Sequence, residues 1–207
     1  MAILTAGTYQ EPDLSVDDVD DYTNGQLSED DPATQRMLDA ALAVARNDMR
    51  WHVNPVTFGE VISLNGQGGL HLWLPTKNVV TIHNITDTIS GTMPTAPPGL
   101  LYDADLPNKV YLNPQVSGQV WCGPGVSGLS GITVTWDHGF TNTQAADWRN
   151  AILALVTNIA QITVLGRSDA ELQSKELDDI TYRWAAAQAL GSVEPTLAKY
   201  RILAAWV

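Results

Sequence analysis

The run Val56-Thr57-Phe58-Gly59-Glu60-Val61-Ile62-Ser63-Leu64 leads into Asn65-Gly66-Gln67-Gly68-Gly69 and then Leu70-His71-Leu72-Trp73-Leu74. The first and last segments are β-branched and apolar, and the middle one tolerates positive φ throughout, so the stretch predicts a β-hairpin. The same texture runs to about Asp137. Val79 to Ile82, Val110 to Leu112, Gln119 to Cys122 and Ile132 to Trp136 read as short strands, and the proline-rich Met93 to Gly99 reads as a loop.

On either side of this region the apolar spacing is helical. Ser15 caps a short helix from Val16 to about Thr23, and Asn24-Gly25 supplies a left-handed stop. Asp31 caps a second helix with Pro32 in its first position, and Leu38, Ala41, Leu42, Ala45 and Met49 share one face up to Arg50. Gln144 to Leu165 forms the longest periodic element and ends at Gly166. Its Trp148, Ile152, Leu155, Val156, Ile159 and Ile162 face one way, and only Asp147 and Arg149 are charged along it, so it needs cover from its own core or from neighbouring subunits. Leu177 to Trp184 reads as extended, Pro195 starts a short helix over Glu194 to Tyr200, and Arg201 to Val207 is an apolar tail that something should bury. The chain is therefore expected to be α+β. A helical segment covers 1–55, a small β-rich domain covers 56–138, and a long helix with a tail covers 139–207.

A chain of 207 residues buries about 70% of its extended surface, enough for a real core. Charged residues make up only 16%, which points to a surface that is uncharged or covered by partners. The net charge of −12 is the wrong sign for gripping DNA or anionic lipid. One cysteine, Cys122, forbids an internal disulfide and a cysteine-rich zinc site. No secretory leader and no membrane span are read from the sequence.

Nine acids and no base lie between Glu11 and Asp31, Asp17, Asp18, Asp20 and Asp21 among them. The bland explanation is a solvated helix face. A calcium loop does not fit, because Tyr22 stands where a third carboxylate should sit and no glycine follows at the bend. Gly123-Pro124-Gly125-Val126-Ser127-Gly128 matches a dinucleotide fingerprint in letters only, since a strand follows it where a helix should open. His52, His71, His83 and His138 show no metal-ligand spacing. Asp137-His138 is the best catalytic-looking pair, but adjacent strand residues point to opposite faces. No catalytic residue, metal or cofactor is expected.

The helical motifs taken together carry a resemblance. Asp17-Asp18-Val19, Tyr22-Thr23-Asn24-Gly25-Gln26-Leu27, Asp30-Asp31-Pro32 and Trp51-His52-Val53-Asn54-Pro55 resemble those of head-to-tail adaptor proteins of tailed phages, particularly of actinobacterial siphophages. The similarity continues in Leu72-Trp73-Leu74-Pro75-Thr76, Thr135-Trp136-Asp137-His138-Gly139-Phe140, Leu177-Asp178-Asp179-Ile180-Thr181-Tyr182 and Leu197-Ala198-Lys199-Tyr200-Arg201. It spans most of the chain in order, through motifs that are each short.

The resemblance implies a non-enzymatic virion protein, made in the host bacterial cytoplasm and placed in the head-tail connector. It implies a ring, expected to be dodecameric, between the portal protein and a stopper or tail-completion protein, with double-stranded DNA passing through unbound. Leu197, Tyr200, Arg201, Ile202, Leu203, Trp206 and Val207 become the expected portal-docking segment. Asp17, Asp18, Asp20 and Asp21 become an acidic ring surface such as the channel lining; a dozen copies would carry on the order of 140 negative charges over the whole ring, and any share of them facing the lumen would repel DNA. Trp148, Ile152, Leu155 and Ile159 become core or subunit packing. Two other readings stand beside this one: a sugar- or receptor-binding β-module, which needs Trp73, Trp121 or Trp136 exposed on one face, and another connector component such as a stopper or tail terminator.

Overall fold

The computed structural model describes residues 2–9, 11–65, 70–87, 91–95, 99–102, 109–113, 131–166 and 189–202. The fold is α+β, with two antiparallel sheets and four α-helices among these residues. Two compact units divide the chain: a strand unit drawn from Met1–Glu11, Asn54–Thr141 and Ile202–Val207, and a helical unit drawn from Pro12–Val53 and Asn142–Arg201.

In the strand unit, β1 (Ala2–Thr5), β2 (Thr8–Tyr9), β3 (Thr57–Leu64), β5 (Val79–Asp87), β6 (Gly91–Met93) and β9 (Ile132–His138) make one sheet in the order β1-β3-β9-β5-β6, with β2 also on β3. A smaller sheet is built from β4 (His71–Trp73), β8 (Lys109–Leu112) and β7 (Leu100–Tyr102), in that order. Alternate residues turn inward, as a half-buried strand requires. Ile62 and Leu64 of β3, Ile132, Val134 and Trp136 of β9, and Leu72, Leu100, Val110 and Leu112 of the smaller sheet join one buried cluster. Each such side chain contributes roughly 1.5 to 3 kcal/mol by leaving water.

The expected hairpin between Val56–Leu64 and Leu70–Leu74 is not formed. β3 gives one edge to β1 and β2 and the other to β9, so β4 finds no free edge there and pairs with β8 instead, His71 opposite Tyr111 and Trp73 opposite Lys109. No strand is read before Val16 from the sequence, yet β1 and β2 both lie on β3. Met93, read as the start of a loop, closes β6. The strands expected at Val79, Val110 and Ile132 are present as β5, β8 and β9, while Gln119 to Cys122 and Leu177 to Trp184 lie outside the described residues.

In the helical unit, α1 (Val16–Thr23) opens on a capping box: the Ser15 hydroxyl accepts from the Asp18 N–H, and the Asp18 carboxylate accepts from the Ser15 N–H at 2.8 Å. Asn24 closes it in the left-handed conformation at φ 52°. Helix α2 (Pro32–Met49) starts on the Asp31 carboxylate, which accepts from the Ala33 N–H at 2.8 Å, and ends at Arg50. Its Leu38, Ala41, Leu42, Ala45 and Met49 are all buried. Helix α3 (Ala146–Gly166) buries Trp148, Ile152, Leu155, Val156 and Ile159 within the chain itself. Glu194–Leu197 forms α4, followed by a 3₁₀ turn over Ala198–Tyr200.

Candidate functional site

Helix α1 carries its acids outward. Asp17 and Asp21 are exposed and Asp18 and Asp20 are half-buried, so all four reach solvent from one short helix. Asp18 is also structural, since it caps Ser15 and stands 3.6 Å from the Arg149 guanidinium. Glu29 is drawn into the same patch, and the hydrogen bond it shares with Asp17, reinforced by the repulsion between the two, pushes its carboxyl above the ordinary glutamate value. The crowding is acidic apart from Arg149 beside Asp18. Among the described residues no group of three or more His, Cys, Asp or Glu side chains could hold a metal ion.

The segment approaching the C-terminus is tied into the helical unit. The Trp51 indole N–H donates to the Tyr200 carbonyl at 2.7 Å, and the Tyr200 hydroxyl donates to Asp147. Arg201 pairs with Asp48 and reaches both oxygens of Glu194, at 2.7 and 2.8 Å. Leu197, Tyr200 and Ile202 are buried in their own chain, so what this stretch presents to solvent is Ala198, Lys199 and the flank of Arg201. Leu203, Trp206 and Val207 lie outside the described residues.

Asp137 and His138 do not act on each other. Glu60 pairs with Trp136 and Thr57 with His138, so β3 carries one extra residue between these partners, and Gly59 there has φ 65°. The Asp137 carboxylate accepts the Gly59 N–H at 2.8 Å, and the same oxygen is 2.8 Å from His83 Nε2. His83 belongs to a second irregularity, between Ile82 and Asn84 of β5. His138 Nε2 instead lies 2.9 Å from Glu60, with its ring stacked on Trp136 at 4.4 Å. Both residues are buried, and each has a partner suited to holding strands together.

Trp136 is fully buried, so it cannot belong to an exposed aromatic face, and Trp121 lies outside the described residues. Trp73 does face outward. With His71, Lys109 and Tyr111 it forms the outer face of the smaller sheet, where Lys109 Nζ stands 5.1 Å from the Trp73 ring and 4.8 Å from the Tyr111 ring. Leu101 and Tyr102 of β7 are exposed as well, and among the described residues the large apolar side chains most open to solvent are Ile3, Leu4 and Tyr9 of the first two strands. The sequence signal for them was present, in a short apolar run with no charge, but too brief to read as a strand.

No family model and no curated protein matches the chain. Its fold, however, is that of chains in solved phage-like particles. A chain from the neck of a native gene transfer agent particle, computed with C12 symmetry, matches at a TM-score of 0.58 and 15% identity over 100% of both chains. A chain from the neck of the empty particle, computed with C6 symmetry, matches at 0.59 and 16%, again over 100% of both. A chain from the virion of the native particle matches at 0.54 and 14% over 95% of each.

Proposed function

We propose that the chain is a structural protein of a virion neck, and within it the adaptor ring that joins the portal to the stopper or tail-completion protein. The observation that carries this is the likeness in fold to neck chains along their whole length, in particles computed with twelve-fold and six-fold symmetry. The adaptor motifs read from the sequence point the same way. The pair that looks most catalytic in the sequence, Asp137 and His138, is engaged in joining strands.

In this reading the acids of α1 form a surface that DNA slides past without binding, because like charges repel at the range of the screening length. The residues through Ile202 anchor the end of the chain, and Leu203, Trp206 and Val207 provide the portal contact. Many weak contacts repeated around a ring give strong avidity. The test is co-sedimentation of the purified chain with portal-bearing heads that lack a tail. Binding in ring stoichiometry supports the role, and exclusive binding to tails or to cell-surface glycans overturns it.

A further inference from the structure

The larger sheet has two ends, β1 and β6, among the described residues. At the β1 end, Ile3 is 57% exposed and Leu4 58%. The pairing with β3 slips between Ile3 and Thr5, so Leu4 is an extra residue at a bulge, and both apolar side chains of this bulged strand reach solvent. Among the described residues its hydrogen-bonded neighbour is β3, and the outer row of β1 N–H and C=O groups faces away from that strand. Sheet edges are ordinarily guarded by charge, by proline, by a bulge or by being short. Ala2-Ile3-Leu4-Thr5 is short and bulged at Leu4 but holds no charge and no proline, and the three residues Gly91-Thr92-Met93 at the other end hold none either.

Strand direction then restricts what can add there. Every step across the sheet is antiparallel, from β1 to β3, to β9, to β5 and to β6. Four reversals leave β1 and β6 running the same way. Rotation about an axis along the strands preserves that direction, so it brings β1 of one copy beside β6 of the next as a parallel pair. Such a contact joins unlike surfaces and closes into a ring when the rotation closes, whereas two β1 edges could meet only around a two-fold. Charge favours the same place. The strand unit holds six acids and two bases, against 17 acids and nine bases in the helical unit, and its two end strands hold none.

We infer that β1 and β6 are the two halves of the contact between copies of this chain, so that the sheet continues from subunit to subunit. This rests on the ring reading above. The test uses the full chain with Cys122→Ser, and Leu4→Cys and Thr92→Cys introduced singly and together, treated with a short bismaleimide that tolerates the register. The double variant is expected to give a ladder of linked multimers up to the ring, and Leu4→Cys alone none. Rings by negative stain without a ladder would overturn the edge contact and leave the ring reading standing. Dimers from Leu4→Cys alone would overturn it in favour of two-fold pairing. A chain that forms no ring, alone or on portal-bearing heads, overturns both. As a second variant, Ile3→Lys with Leu4→Lys should raise the concentration needed for ring formation at least tenfold at an unchanged melting temperature, and an unchanged assembly midpoint would contradict the inference.

Discussion

Asp137 shows how a residue that looks reactive is used up by structure. Its carboxylate satisfies the N–H of a glycine that the strand irregularity has turned away from the ladder, and it holds His83 beside it. Asp137→Ala removes the acceptor of that N–H at an exposed glycine, where water can take its place, so the cost is that of one net hydrogen bond, about 0.5 to 1.5 kcal/mol, while Asp137→Asn keeps an acceptor and should lose less. Urea unfolding followed by tryptophan fluorescence checks the order. Neither variant should block assembly beyond its effect on folding. Glu29 offers a test with a sign. Its carboxyl is raised by Asp17, so the fold favours the protonated form, and the stability linked to it is present at low pH and lost as pH rises through the raised value. Glu29→Gln should therefore raise the melting temperature at pH 7, with the gain vanishing below the ordinary 4.5. Equal gains at both pH values would mean that repulsion from Asp17 is not the cause. At this scale the sequence was informative about caps: Ser15, Asp31 and Asn24 act where their chemistry puts them, because capping needs only residues a few positions away. It was silent on Asp137, whose partners Gly59 and His83 are brought in by strand register.

Elements followed the same division between local and distant causes. Helices α1, α2 and α3 were legible because their apolar spacing and caps are written in consecutive residues. The hairpin was not, because the glycine-rich turn is permissive without specifying which edge the next strand takes, and β3 was already filled on both sides. The cause lies in the first residues of the chain. Gly7 links β1 to β2 where a Cβ would come within 2.4 Å of the Thr57 methyl and 2.7 Å of the Phe58 carbonyl oxygen. The second contact is with backbone and cannot rotate away. Gly7→Ala should therefore push β2 from β3 at an overpacking cost of about 1 to 3 kcal/mol. Hydrogen exchange at Thr57 and Phe58 would report it, and unchanged protection there would show that the chain absorbs the methyl elsewhere.

At the scale of the whole molecule, the chain is acidic, poor in charged residues and like virion neck chains in fold. The order of its short motifs resembles that of connector adaptors, which is the basis of the role proposed above. The surfaces themselves were not readable, since Leu197, Tyr200 and Ile202 look like free apolar side chains until the fold buries them. Removal of the residues after Ile202 keeps the Trp51, Asp48 and Glu194 contacts, so the truncated chain should melt within a few degrees of the intact one while losing at least tenfold in binding to portal-bearing heads. Full binding would assign the portal contact to another surface. The most direct test of the adaptor reading is a cryo-EM reconstruction of the neck of the particle that carries this chain. The expected result is this fold repeated in a closed ring directly beneath the portal, with α1 toward the channel. The same fold found as isolated copies on the capsid or at the tail tip would contradict it.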